Sequence, residues 1–320
     1  MSSASQVYFM DISGIESDIA HIFEHAYVDA ICGQLERHYK VPISLLCSIS
    51  ATTFQKITLL NVSAVNERIL SKLNDTITSH IKIDRTKLNV YKSQVEAEMG
   101  KLYQVRDDSR FTESINQLEK RHFQPVDSMP GIRLDRINYH EDLPKPVILT
   151  GRKYPNSFDD IAINIDIDQP TITDRVVLAA IKDYLTDIVR NSVGLLGGYT
   201  RSSFYNECTD DSILLKINCT ISKRATLANL SDAIGCNISK ILNAPATFQK
   251  DYLHSNINSN FIDSLYNYLG VLGPTKQLAQ YLTVKNLTKT TNKLGVYSIY
   301  RQNTTASGFN YDSLGNLFPR

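Results

Sequence analysis

The chain has 320 residues, of which 42% are apolar, enough for two ordinary domains with a core in each. Lys and Arg total 34 against 33 Asp and Glu, and a formal net charge of +1 gives no strong field to attract nucleic acid or anionic lipid. The sequence shows no signal-peptide pattern and no apolar run long enough to span a membrane. The five cysteines form no C-x-x-C pair, which favours reduced thiols over a disulfide framework or a cysteine zinc site. We therefore expect a soluble cytoplasmic protein that binds neither nucleic acid nor membrane.

The first long element in chain order is a predicted helix from about Ser17 to Tyr39, where apolar residues recur at helical spacing without a proline. His21 and His25 stand one turn apart on one face of this helix, as two nitrogens must if they are to bind one metal ion. Glu24 precedes the second histidine, so the stretch reads H-x-x-E-H, the reverse of the zinc-protease motif H-E-x-x-H. The alternative interpretation of these residues is a solvated helix face.

The following elements complete a first α+β domain. Pro42 to Val62 is rich in apolar and β-branched residues around a polar centre, which predicts two strands with a tight connection. Helices are predicted from Ala64 to Ser79 and from Thr86 to Gln104, the second carrying Glu96 and Glu98. A catalytic zinc site needs a third protein ligand and an open position, so the histidine motif predicts a further carboxylate or histidine.

Residues from about Val105 to Pro146 are polar, charged and proline-rich, and we place the domain boundary inside this segment. A similar order of elements then follows. The stretch "IAINIDIDQP" predicts a strand, Thr173 to Val189 a helix, "SILLKINCTI" a strand and Leu227 to Leu242 a helix, with a glycine-rich segment in between.

These elements predict an α+β chain with two domains of similar plan. The boundaries that we predict are a catalytic domain at residues 1–125, a linker at residues 126–150 and a second domain at residues 151–320.

The stretch "AHIFEH", residues 20–25, resembles the active-site helix of the pitrilysin family, the inverzincins that include insulin-degrading enzyme and the mitochondrial processing peptidases. In that family a glutamate some 70 to 80 residues further on is the third metal ligand. Here "QVEAEMGKL" resembles the stretch that carries this glutamate. It contains Glu98, which follows His25 by 73 residues. The resemblance implies one Zn²⁺ per chain, held by His21, His25 and Glu98, with Glu24 as the general base.

Two details of this stretch differ from the family pattern or leave a choice open. The family often has another glutamate seven residues before the third ligand, where this chain has Tyr91. Glu96 is the other candidate for the third ligand, and because residues two apart on a helix point to different sides, Glu96 and Glu98 cannot both bind one ion. Sites of two histidines and a glutamate also accept divalent ions other than zinc.

The stretch "SISATTFQKITLLNV" resembles a strand pair of the same family, whose exposed edge binds a substrate peptide as an added strand. By this resemblance the substrate-binding residues are Ser50, Ala51, Thr52 and Thr53, with Ser50 in place of the family's usual Asn.

In the second half, residues 161–205 look like the start of the family's second domain, where an Arg and a Tyr assist the substrate carbonyl and the oxyanion. Arg190 and Tyr199 are the nearest equivalents, although they are nine residues apart, wider than the family's spacing.

The resemblance implies the pitrilysin/LuxS-like metallohydrolase fold, in which each domain is a mainly antiparallel sheet with helices packed on one face. Family members enclose their substrate between two halves of two domains each, which implies a homodimer or a heterodimer with a homologous subunit. The predicted function is a zinc-dependent endopeptidase acting on peptides, and the short chain suggests trimming of a leader or precursor peptide. The alternatives are a non-catalytic scaffold or substrate-binding subunit of such an enzyme, and an unrelated α+β binding protein.

Overall fold

The structure, a computed structural model, describes residues 4–79, 81–100, 108–135, 158–195, 197–200, 205–208, 212–222, 227–255, 257, 259–294, 297–305 and 308–313. The chain forms two compact units, the first ending at Pro130 and the second beginning at Gly131. Each unit combines an antiparallel sheet with packed helices, so the predicted α+β fold is confirmed. Among the described helices, none combines the length and the apolar character needed to cross a membrane.

The described part of the first unit contains four strands and four helices. They are β1 (Ala4–Asp11), α1 (Ser17–Tyr39), β2 (Cys47–Thr53), β3 (Ile57–Ala64), α2 (Glu67–Ile77), α3 (Leu88–Met99), α4 (Asp108–Leu118) and β4 (Gln124–Pro125), with 3-10 turns at Ile43–Leu45, Arg85–Lys87 and Val126–Ser128. The strands lie in the order β2-β3-β1-β4, and every pair is antiparallel. Strand β2 therefore forms one edge of this sheet.

The apolar side chains of helix α1 fix its orientation on the sheet of the first unit. Ile22, Phe23 and Ala26 are fully buried in a core that they share with Tyr8 and Met10 of β1. Burial of these side chains supplies most of the stability that a helix of this kind has, because a helix alone is marginal in water. The same packing fixes which face of α1 is turned away from the core.

The described part of the second unit contains eight strands and six helices. They are β5 (Arg133–Leu134), β6 (Phe158–Asp168), α5 (Ile172–Leu195), β7 (Tyr199–Thr200), β8 (Tyr205–Cys208), β9 (Ser212–Ser222), α6 (Leu227–Leu242), α7 (Ala246–Ser255), α8 (Ser259–Leu269), β10 (Val271–Leu272), α9 (Thr275–Ala279), α10 (Val284–Lys293), β11 (Tyr297–Thr305) and β12 (Gly308–Ser313). The main sheet has the order β12-β11-β6-β9-β7, and β8 also pairs with β9. Strands β5 and β10 form a separate antiparallel ladder.

Several predicted elements differ from the structure at their ends. The helix predicted from Ala64 begins at Glu67, because Ala64 is still paired in β3 and the Asn66 side chain caps the helix by accepting from the Ile69 N–H. The helix predicted to Gln104 ends at Met99, followed by Gly100 at a left-handed φ of 63°, and residues 101–107 lie outside the described chain. Helix α4 was not predicted at all.

The predicted linker, residues 126–150, includes chain that belongs to both units. Val126–Ser128 follows β4 in the first unit, whereas Arg133–Leu134 pairs with Val271–Leu272 in the second. Residues 136–157 lie outside the described part of the chain.

Candidate metal centre

The two histidines of the H-x-x-E-H motif lie side by side on helix α1. Their ring centroids are 5.1 Å apart, and their side chains are 20% and 18% exposed for His21 and His25 respectively. Because Ala20, Phe23 and Ala26 on the other faces of the helix are buried, both imidazoles are turned to the surface that faces helix α3.

Helix α3 places Glu98 against both rings. Its Oε2 lies 3.3 Å from His21 Nε2, and its Oε1 lies 3.5 Å from His25 Nε2. The ligand atoms of the three residues all lie within 4.8 Å of one another, and no other such group of His, Cys, Asp or Glu occurs in the described part of the chain. Two imidazoles and one carboxylate are a donor set that zinc prefers, so the residues present fit a divalent ion.

Glu96, the other candidate for the third ligand, does not belong to this cluster. It lies two residues from Glu98 on the same helix, and a rotation of about 200° separates their side chains. Of the two carboxylates, the geometry brings Glu98 to the histidines.

Electrostatics favours the neutral form of His21. Burial lowers the pKa of its imidazole, and the neighbouring His25 lowers it further, while Glu98 and Asp18 act in the opposite sense. A metal ligand has to offer an unprotonated nitrogen, so this environment suits ligation.

Glu24, the predicted general base, is buried in the wall of the same site, with 7% of its surface exposed. Burial raises its pKa to about 7, although a hydrogen bond from Thr53 acts in the opposite direction. The Thr53 hydroxyl donates this bond to Glu24 Oε2 and lies 3.1 Å from the hydroxyl of Thr58. A carboxyl group with a pKa near neutrality can both accept and return a proton.

The cluster opens into a cleft of about 760 Å³. One wall is helix α1, a second is α3, and the third is the edge strand β2. All of the predicted metal, base and substrate-strand residues of the first unit line this cleft, namely His21, Glu24, His25, Ser50, Ala51, Thr52, Thr53 and Glu98.

The register of β2 shows which of its backbone groups face the open edge. The Phe54 N–H donates to the Ile57 carbonyl across the hairpin at 2.8 Å, and Thr53 is directly opposite Thr58. Because hydrogen-bonded and non-hydrogen-bonded pairs alternate in an antiparallel ladder, the backbone groups of Ala51 and Thr53 point away from β3. These two residues therefore offer N–H and C=O groups to an incoming strand.

Two contacts around the cleft were not foreseen from the sequence. His25 Nδ1 lies 3.2 Å from the side-chain oxygen of Gln94, one turn before Glu98 on α3. Further along the same two helices, the Tyr91 hydroxyl donates to Asp29 Oδ2 at 2.7 Å. The one sequence signal for the first contact is the i, i+4 spacing of Gln94 and Glu98, which puts both side chains on one face of α3.

Arg190 and Tyr199, the predicted substrate-assisting pair, belong to the second unit. Arg190 lies in the last turns of α5, where its exposed guanidinium donates to Asp187 Oδ1 at 2.9 Å. Tyr199 is the first residue of β7 and is opposite Thr220 of β9, and its side chain lies outside the described part of the structure. The role of either residue in catalysis stays a prediction.

No protein-family model and no curated protein sequence matches the chain. Among solved structures, it is similar to pitrilysin, with 12% identity and a TM-score of 0.42 over 97% of this chain and 44% of that one. It is similar to a protease from Helicobacter pylori, with 13% identity and a TM-score of 0.40 over 90% of each chain. It is also similar to the ferredoxin protease FusC in complex with Arabidopsis ferredoxin, with 11% identity and a TM-score of 0.40 over 91% of this chain.

The chain thus spans less than half the length of pitrilysin, and 41% of the length of FusC. FusC and the Helicobacter pylori protein are proteases. At such low identity and TM-score, the chemistry of the cleft rests on its own residues.

Proposed function

We propose that this protein is a zinc-dependent endopeptidase. The observation that carries the proposal is the convergence of His21 Nε2, His25 Nε2 and the Glu98 carboxylate at a cleft where the buried carboxyl of Glu24 stands beside a sheet edge. A metal cluster, a proton acceptor and an edge for an extended peptide are the three parts that metal-assisted peptide hydrolysis requires.

His21, His25 and Glu98 would hold one ion per chain and leave a further position open towards the cleft, as catalytic zinc sites do. The half-exposed Glu98 side chain, with 54% of its surface accessible, fits a site that water and substrate can enter. When bound, zinc supplies Lewis-acid polarisation of the scissile carbonyl and lowers the pKa of water.

Glu24 acts as the proton carrier in this proposal. Its carboxylate accepts a proton from the attacking water while the water oxygen bonds to the scissile carbonyl carbon, and it returns that proton to the amine nitrogen as the C–N bond breaks. The hydrogen bond from Thr53 to Oε2 fixes the orientation of the carboxylate and leaves Oε1 to receive the proton. A pKa raised to about 7 by burial suits both halves of this cycle.

The substrate would be an extended peptide that pairs with the edge of β2. Ala51 and Thr53 contribute the outward backbone groups, and the side chain of Thr53 faces Glu24. Strand addition requires an extended segment whose backbone groups are unpaired, so unfolded segments and short peptides are favoured over folded proteins. Trimming of a precursor or leader peptide in the cytoplasm is the specific task that we propose.

A second subunit belongs to the same proposal. Among the described residues that line the cleft there is no Arg or Lys, so a side chain that assists the zinc ion in stabilising the oxyanion would come from elsewhere. By the family resemblance, Arg190 and Tyr199 of another copy, or equivalent residues of a homologous chain, would complete the site. The chain would then work as a homodimer or as one half of a heterodimer.

The test is cleavage of an internally quenched peptide library by the purified protein and by Glu24→Gln. We expect cleavage by the wild-type protein with added zinc and a loss of about 10² to 10⁴-fold in Glu24→Gln, the usual contribution of a general base. Zinc binding without cleavage by the wild-type protein would point to a missing partner subunit, and absence of cleavage with every homologous partner would favour the non-catalytic subunit. Equal cleavage by both proteins would overturn the role of Glu24.

A further inference from the structure

Helices α1 and α3 contact each other through three polar residue pairs, and the candidate metal cluster lies at one end of this row. On α1 the participating residues recur every fourth position, and on α3 every third or fourth, so both sets lie on one face of their helix. In order along the helices, the pairs are Asp29 with Tyr91, His25 with Gln94, and His21 with Glu98. The contact between His25 and Gln94 is the one in which a candidate ligand meets a residue outside the metal cluster, through the ring nitrogen Nδ1 that faces away from Glu98.

We propose that Gln94 is a positioning residue that selects the tautomer of His25. Its side-chain oxygen lies 3.2 Å from Nδ1, and an amide oxygen can only accept a hydrogen bond. A neutral ring that donates from Nδ1 to Gln94 leaves the lone pair of Nε2 for a metal ion on the side of Glu98, whose Oε1 lies 3.5 Å away. The proposal rests on the proposed function in so far as Nε2 is taken to bind a metal.

The alternative tautomer would disable the cluster. With the proton on Nε2, His25 would present an N–H group where a ligand needs a lone pair. In metal sites the ring nitrogen that does not bind the ion usually donates to a carboxylate, a backbone carbonyl or water, and this contact fixes the ring orientation. In this chain the amide side chain of Gln94, on helix α3, accepts from that ring nitrogen.

The contact between Tyr91 and Asp29 keeps Gln94 and Glu98 aligned with the two histidines. Helix α3 buries only Tyr91 and Val95, so apolar packing alone does little to fix its position along α1. The Tyr91 hydroxyl and the Lys87 ammonium both donate to Asp29 Oδ2, at 2.7 and 3.0 Å. These bonds link the start of α3 to α1 at a point one turn beyond His25.

The tautomer can be observed directly in metal-free protein that carries Glu98→Leu, which removes the carboxylate that competes for a proton on Nε2. We would label the histidines with ¹⁵N and record long-range ¹H–¹⁵N correlation spectra at about pH 8, above the ordinary histidine pKa of about 6.5. In this background we expect an Nδ1–H tautomer for His25 when Gln94 is present and also in Gln94→Glu, whose carboxylate is still an acceptor. Gln94→Leu should move His25 towards the Nε2–H tautomer.

Zinc affinity, measured by competition with a chromogenic chelator, gives a second readout. We expect Gln94→Leu to bind zinc about 10 to 100-fold more weakly than the wild-type protein. This is the usual effect of removing the hydrogen-bond partner of a metal-binding histidine. Gln94→Glu should stay within a few-fold, and Asn89→Leu, an exposed position on the same helix, should not differ from the wild-type protein. Since Gln94 is exposed, its replacement should leave the fold intact.

In the Glu98→Leu background, an Nε2–H tautomer of His25 with Gln94 present, or an unchanged tautomer in Gln94→Leu, would overturn the proposal. This result does not depend on the metal. If Gln94 holds the Nδ1–H tautomer but the protein with Glu98 intact binds no zinc, the positioning role stands and the proposed peptidase fails.

Discussion

The hydroxyl of Thr53 on the edge strand β2 donates a hydrogen bond to the carboxylate of Glu24 on helix α1. The same hydroxyl lies 3.1 Å from Thr58, which is completely buried on the neighbouring strand. The strand on which we place the substrate is thus linked directly to the group that we propose as the base. A change at Thr53 should affect proton transfer without touching the metal ligands.

Replacing Thr53 with Val keeps the shape of the side chain and removes the donor. We expect kcat/KM for a peptide substrate to fall about 10 to 100-fold, because hydrogen bonds to charged groups contribute about 1.5–3 kcal/mol. Zinc content should not change. Ser48→Ala, which removes an exposed hydroxyl from the same strand, is the control and should cleave like the wild-type protein. Wild-type cleavage by Thr53→Val would show that the bond has no catalytic role.

Glu98 and Glu96 provide a matched pair on one helix. Glu98→Gln should weaken zinc binding by at least about tenfold, because a charged ligand of the ion is replaced by a neutral one. Glu96→Gln makes the same chemical change on another side of α3 and should leave zinc affinity within about twofold of the wild type. Isothermal titration with zinc measures both, and a loss confined to Glu96→Gln would reverse the ligand assignment.

Ala51→Pro tests whether substrate pairs with the edge of β2. Proline removes the Ala51 N–H, which points away from β3, so no bond within the sheet is lost. We expect KM for an extended peptide to rise about tenfold or more, since a backbone bond to substrate is lost, while zinc binding persists. Steady-state kinetics gives the KM.

The neighbouring variant Ser50→Pro is the structural comparison. Its N–H points into the ladder with β3, so this change should lower the melting temperature measured by circular dichroism, which Ala51→Pro should do much less. Unchanged KM in a well-folded Ala51→Pro protein would rule out strand addition at this residue.

Asp174 in the second unit provides a test of pH-dependent stability. Its fully buried carboxylate accepts hydrogen bonds from Thr171, Thr290 and Lys293, the last at 2.6 Å. Burial alone would raise the pKa of Asp174, but the bonds from Lys293, Thr171 and Thr290 outweigh it and the pKa is lowered. A lowered pKa stabilises the folded chain above the unfolded value of about 3.9, and that stability is lost as the pH falls through the folded value.

We therefore expect Asp174→Asn to reduce the free energy of unfolding by about 1.5–3 kcal/mol at neutral pH, the range for hydrogen bonds to a charged group. The difference from the wild-type protein should shrink below about pH 4. Urea unfolding at a series of pH values measures it, with the exposed Asp251→Asn as the control. A difference that does not vary with pH would contradict the role of the charge.

Local sequence patterns predicted many of the helices and strands, because such a pattern depends only on the residues within one segment. Helix α1 has the predicted bounds, and the spacing of His21 and His25 was enough to place them on one face. The choice of Glu98 came from the family resemblance, since nothing local tells which distant carboxylate will meet the histidines. Helix α4 was missed because its segment is polar and few of its side chains, such as Ile115 and Leu118, are buried.

The contacts that tune the site depend on how the elements pack. The bonds from Thr53 to Glu24 and between Gln94 and His25 join residues 29 and 69 positions apart. Such pairs arise from the placement of β2 and α3 against α1, which periodicity cannot give. The residue types of the candidate metal site can therefore be recognised in the sequence, whereas the residues that contact them become visible only in the folded chain.

The most direct test of the central claim is the zinc content of the purified protein, measured by mass spectrometry for the wild-type chain and for His25→Ala. The account predicts about one zinc ion per wild-type chain, as a single catalytic site holds, and a large loss in His25→Ala. No zinc in the wild-type protein after incubation with the metal, or equal zinc in both proteins, would contradict it.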